Sequence, residues 1–103
     1  MHPHLVKVRD EMIRVAREHG VTRLSLIGSA RETSGPAWFE DVDLVVSFEE
    51  GLSRLDRARR EISLREKLSP IVNRPVDLAE LARLEDADLL EEISETEEVI
   101  YAT

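Results

Sequence analysis

The chain has 103 residues, 42% hydrophobic and 35% charged, with no cysteine and a net charge of −8. That length allows one small core and leaves no room for a second substrate lobe, so residues 1–103 are expected to form a single domain. The acidic balance argues against long nucleic acid as a substrate, the missing cysteines exclude disulfides and thiolate metal sites, and neither a bilayer-length apolar run nor a signal-peptide core is present, so the expected location is the cytoplasm.

In chain order the pattern reads as helix, strand, short helix, strand, helix, strand, helix. Leu5, Val8, Met12, Ile13, Val15 and Ala16 recur at mostly helical spacing between His4 and His19, and Gly20 stops that helix. A strand follows from Arg23 to Ile27. Ser34-Gly35-Pro36 breaks any regular element between Arg31 and Glu40, and the branched run after it predicts a strand from Asp41 to Phe48. The next helix is expected over Ser53 to Leu68, with Leu55, Ala58, Ile62 and Leu68 inward. Arg74-Pro75 leads into a short strand from Val76 to Ala79. The last stretch, from Leu84 to Tyr101, places Leu84, Ala87, Leu90 and Ile93 on one helical side, and all its ionised groups are acidic.

Chemistry concentrates around two strand ends. Gly28-Ser29 closes the run Leu24-Ser25-Leu26-Ile27, and a small pair there lets backbone amides and the Ser29 hydroxyl meet a phosphate. In Asp41-Val42-Asp43 a strand's period of two puts both carboxylates on one face, close enough to share a divalent cation. Asp86-Ala87-Asp88 has the same spacing, but its helical setting separates the side chains and makes it solvated surface. Asp77, on the later strand, adds a third hard oxygen ligand. Together these groups outline a phosphoryl-transfer site served by two magnesium ions. His2-Pro3-His4 has no further ligand near it and reads as ordinary terminus.

At this point the sequence resembles the minimal nucleotidyltransferases of the DNA polymerase β-like superfamily. Leu26-Ile27-Gly28-Ser29-Ala30-Arg31 is similar to that family's strand and Gly-Ser signature, Asp41-Val42-Asp43-Leu44-Val45-Val46 to its metal motif, and Arg74-Pro75-Val76-Asp77-Leu78 to its third-carboxylate strand. Leu90-Glu91-Glu92-Ile93 with Val99-Ile100-Tyr101 resembles its closing helix. The resemblance implies an α+β fold, a small mixed sheet flanked by helices, and transfer of a nucleotidyl group from ATP to a hydroxyl. It also implies roles. Asp41, Asp43 and Asp77 would be catalytic and bind Mg2+, and Gly28, Ser29 and Arg31 would bind the nucleotide. Many such chains resemble the antitoxin half of a toxin–antitoxin pair, which implies a helical HEPN-type partner and a hetero-oligomer. The sequence departs from the usual signature where Ala30-Arg31 follows the serine directly, Glu32-Thr33 replaces its glycine end, and Glu40 precedes the first aspartate.

Two other readings belong to different classes. One is an antitoxin that neutralises its partner through the acidic C-terminal surface without chemistry. The other is a small-molecule nucleotidyltransferase of the aminoglycoside type, whose usual second lobe is missing here. Trp38 and Phe39 read as loop packing, and Tyr101 as an aromatic anchor for the last helix.

Overall fold

The computed structural model describes residues 1–28 and 41–103. Two helices open the chain, α1 (Pro3–Val6) and α2 (Arg9–Glu18), where the sequence pattern suggests one. Pro3 sits in the first turn of α1, where its missing N–H costs nothing, and the His2 side chain caps that turn by accepting from the His4 amide. The chain then tightens at Lys7-Val8 before α2, so the apolar series continues across the break. Leu5, Met12, Val15 and Ala16 are all buried.

Strands β1 (Val21–Ile27) and β2 (Val42–Phe48) follow, then α3 (Arg54–Val72), β3 (Val76–Glu80), a single 3-10 turn (Leu81–Arg83), α4 (Ala87–Thr96) and β4 (Glu98–Ala102). The sheet order is β3-β2-β1-β4. β1 pairs antiparallel with both β2 and β4, and β2 pairs parallel with β3 through the α3 crossover. Mixed pairing and helices around the sheet make this the expected α+β architecture.

Alternation along the strands divides the sheet into two faces. Leu24, Leu26, Val42, Leu44, Val46, Val76, Leu78 and Ile100 form one core cluster with the buried side chains of α1, α2 and α3. Ser25 and Val45 point the other way and are also buried, and Ile93 of α4 is buried outside the main cluster. Ile93 and Leu90 line a 380 Å³ cavity with Arg23 and Leu81, which places α4 over this second face.

Two further expected elements differ. α3 runs past Pro70 to Val72 and ends at Asn73, and its inward residues are Leu64, Leu68 and Val72. Leu55 and Ile62 are 59% and 49% exposed, not inward. The first half of α3 is held by polar contacts instead: the Arg57 Nε–H donates to Glu80 Oε1 at 2.8 Å, and Arg60 donates to the His19 carbonyl at 3.0 Å and to Glu49 at 2.9 Å. His19 itself is buried, giving its Nδ1–H to the Val15 carbonyl and accepting at Nε2 from the Ser63 hydroxyl.

The C-terminal stretch is not one helix. Asp86 caps α4, accepting from the Asp88 and Leu89 amides, and the helix closes where the Glu97 amide donates to the Ile93 carbonyl. Val99, Ile100 and Tyr101 are branched or aromatic, and they pair with the otherwise open edge of β1. Tyr101 packs on the core with the Arg17 guanidinium 5.4 Å from its ring centre, so it anchors a strand rather than a helix. Among the described residues, no helix is long and apolar enough to cross a membrane.

Candidate active site

The register of the parallel pair decides the geometry of the acidic residues. Asp43 on β2 stands directly beside Asp77 on β3, and Ile27 on β1 stands beside Asp43 from the other side. Registered neighbours share a face and lie about 4.8 Å apart in a sheet, so the two carboxylates emerge side by side. Asp41 precedes them by one strand period on the same face. The Val42 amide donates to the Pro75 carbonyl at 2.9 Å, carrying the β2–β3 pairing back to where both strands begin. All three aspartates therefore gather at one end of the second face.

Two turns deliver these residues. Asn73, at φ 56, ends α3 in the left-handed conformation that asparagine tolerates well, and its amide donates to the Ser69 carbonyl. That turn sends Arg74-Pro75 into β3 and so sets the height of Asp77. The residue went unnoticed in the sequence, although an Asn just after a helix and shortly before a proline is a recognisable stop. On the other strand, Gly28 has φ +75, and a Cβ there would stand 2.6 Å from Asp43 Oδ2. Only glycine permits that approach.

Burial pushes the Asp43 carboxyl above its usual range, and the negative charges of Asp77 and then Asp41 push it further. Asp43 is partly buried, whereas Asp41 and Asp77 are exposed. The three share a face without closing into a tight cluster, since no group of three His, Cys, Asp or Glu side chains is assembled for a metal among the described residues. Crowded carboxylates, Asp43 with its raised proton affinity among them, are hard oxygen donors that suit a divalent cation such as Mg2+. The residues present fit that group.

Of the six residues marked in the sequence, the structure thus brings together Asp41, Asp43, Asp77 and Gly28. Ser29 and Arg31 lie outside the described residues, as do Trp38, Phe39 and the short helix expected after the Gly-Ser pair. His4 is engaged on the helix side, where its Nε2–H donates to the Val72 carbonyl at 3.0 Å.

A strand, a tight glycine turn and three aspartates on neighbouring strands define a class, and comparison with known proteins agrees. The nucleotidyltransferase domain family matches residues 8–102, and the chain belongs to that family. A solved structure assigned as a minimal nucleotidyltransferase is 25% identical, with 95% of each chain covered and a TM-score of 0.67. A mutant of the toxin–antitoxin complex MntA-HpeT is 16% identical, covering 92% of this chain and 73% of that one with a TM-score of 0.69. The complex of a tri-AMPylated Shewanella oneidensis HEPN toxin with its MNT antitoxin is 18% identical, covering 94% and 71% with a TM-score of 0.65. No curated protein matches the sequence. Families of this kind use a nucleoside triphosphate and a divalent metal.

Proposed function

We propose that this chain is an antitoxin that transfers AMP from ATP to a hydroxyl on a HEPN-type toxin partner. The observation that carries the reading is the Asp43–Asp77 register with Gly28 pressed against Asp43. In the transfer, the acceptor oxygen forms a bond to the α-phosphorus, the bond from that phosphorus to the bridging oxygen breaks, pyrophosphate leaves and the acceptor loses its proton. Divalent ions held by Asp41, Asp43 and Asp77 would neutralise the triphosphate and make the acceptor hydroxyl more acidic. Gly28 and Ser29 grip the triphosphate, and Arg31 adds a cation to that grip. Without a Cβ at position 28, backbone amides and phosphate oxygens can approach closely beside Asp43. Asp77 lies on the edge strand β3 and is exposed, so the acceptor would approach from that edge.

The partner in this reading comes from solved complexes that share this fold: the toxin–antitoxin MntA-HpeT, and a tri-AMPylated HEPN toxin with its MNT antitoxin. The acidic α4 surface suits a basic docking site on such a partner. Labelled ATP, magnesium, this chain and the product of the adjacent gene should yield label on that product. Complex formation without label, both proteins being folded and ATP saturating, replaces the transferase by a binding antitoxin. Label on an aminoglycoside and none on the protein would move the chain to the small-molecule class.

A further inference from the structure

β3 carries a second acidic residue at its far end that the transfer reaction does not use. Val76, Leu78 and Glu80 all point to the core side of the sheet, and Glu80 is only 5% exposed. Arg57 donates twice to it, through Nε and through Nη2, but both bonds end on Oε1. Oε2 is buried and has no hydrogen-bond partner among the described residues. A buried acceptor without a donor is costly, and more so when it is charged.

That oxygen belongs to a residue lining a 580 Å³ cavity with Arg54, Arg57, Ala82, Arg83 and Glu85, and a second cavity of 300 Å³ shares Arg57, Glu80 and Ala82. Volumes of this order hold small metabolites. Arg54 makes no ion pair among the described residues, and Arg83 has only Glu61 at 3.8 Å, which is a loose contact. Three arginines against Glu80 and Glu85 leave the larger cavity one positive charge in excess. Glu80 is already neutralised by Arg57, so a neutral N–H donor suits Oε2 better than an ammonium group. The exposed Arg54 and Arg83 offer forked donors to an anion.

From this pairing of an orphaned acceptor with two loosely held arginines, we infer that the cleft between the start of α3 and the turn after β3 binds a small phosphomonoester carrying an amino donor, of the adenosine monophosphate type. The phosphate meets Arg54 and Arg83, and the Glu80 carboxylate turns toward the cleft so that its Oε2, enclosed in the free chain, accepts from the exocyclic amine. The site is separate from the aspartates. Glu80 stands beside Val46, three residues along the strands from the Asp43–Asp77 pair and on the opposite face, about 10 Å away along the sheet.

The test is a titration of the isotope-labelled full chain without magnesium, followed by NMR, with AMP, ribose 5-phosphate and adenosine as separate probes. AMP should shift the Arg57 Nε–H and the amides of Leu81 to Arg83 while leaving Gly28, Asp43 and Asp77 in place. Each half-ligand should bind about tenfold more weakly, having lost either the donor or the anion. Glu80→Gln keeps an acceptor for Arg57 but puts an NH2 where the free oxygen was, and it should weaken AMP about tenfold. The double variant Arg54→Ala/Arg83→Ala changes only exposed side chains and should do the same, so the outcome does not hang on the buried residue alone. The inference fails if millimolar AMP shifts nothing in the cleft, if only the aspartate end responds, if ribose 5-phosphate binds as well as AMP, or if both variants bind AMP unchanged.

Discussion

Gly28 shows how much one missing carbon decides. Its positive φ disfavours any side chain, and the nearest atom to an added Cβ is a carboxylate oxygen of Asp43. Gly28→Ala should therefore destabilise the fold by about 1–2 kcal/mol, through backbone strain plus displacement of Asp43. Urea denaturation measures the stability, and transfer to the partner should fall with it. Asp43 supplies the pH dependence. Its pKa in the folded chain lies above the ordinary 3.8, so folding favours the protonated form. The stability this group contributes thus grows as pH falls from neutral through the folded pKa toward 3.8, and is lost as pH rises again. Asp43→Asn should melt higher than the parent near neutral pH without divalent ions, and the gap should close on acidification. Magnesium should raise the melting temperature of the parent and not of the variant. A gap that widens in acid would contradict the assigned crowding.

At the scale of elements, α4 packs on the second face through one buried side chain, Ile93. Its stability then leans on the cap. Asp86→Ala removes the acceptor for the Asp88 and Leu89 amides and should cost about 1 kcal/mol, visible as faster amide exchange in the first turn of α4. α3 behaves in the opposite way. Its apolar half is fully enclosed, so Leu68→Ala should cost about 2–5 kcal/mol, whereas Leu55→Ala, at an exposed position, should change stability by less than about 0.5 kcal/mol. Thermal unfolding of the two variants side by side checks the contrast.

For the whole molecule the dominant surface feature is charge. Eight acids between Glu85 and Glu98 occur with no base from Leu84 to Thr103. The structure divides them. Glu97 is paired with Arg23 and Glu98 with the N-terminal ammonium, while Glu91, Glu92 and Glu95 are exposed on α4. A one-sign surface steers an oppositely charged partner, and salt screens the effect. Reversing Glu91, Glu92 and Glu95 to lysine should slow association with the proposed toxin partner about tenfold at low ionic strength, with the two rates converging at high salt. Stopped-flow association at two salt concentrations reads this directly. An unchanged low-salt rate would make α4 ordinary solvated surface.

The sequence alone marked the candidate site residues and most of the alternation of elements, because a short period carries that information locally. Asp41 and Asp43 share a face by strand geometry, Gly28 ends an apolar run, and Asp77 follows a proline into a branched segment. None of those readings needs a distant contact. What only the tertiary structure decided depends on partners far away in the chain. Leu55 and Ile62 share one helical face with each other, but Leu64 and Leu68 lie on the opposite one at about 100° per residue, and that is the face the sheet covers, so spacing alone placed the first pair inward wrongly. Val99-Ile100-Tyr101 follows a helix and continues its apolar phase, but β1 offers an open edge there, and pairing that edge outweighs one more helical turn. The position of Asp77 beside Asp43 is likewise a matter of register between β2 and β3, set by the length of α3 and by the Asn73 turn. Glu80 lay hidden for the same reason: its place on the core face follows from alternation after Val76 and Leu78, but its two arginine bonds, its uncommitted oxygen and the cavity beside it exist only once α3 is laid across the sheet.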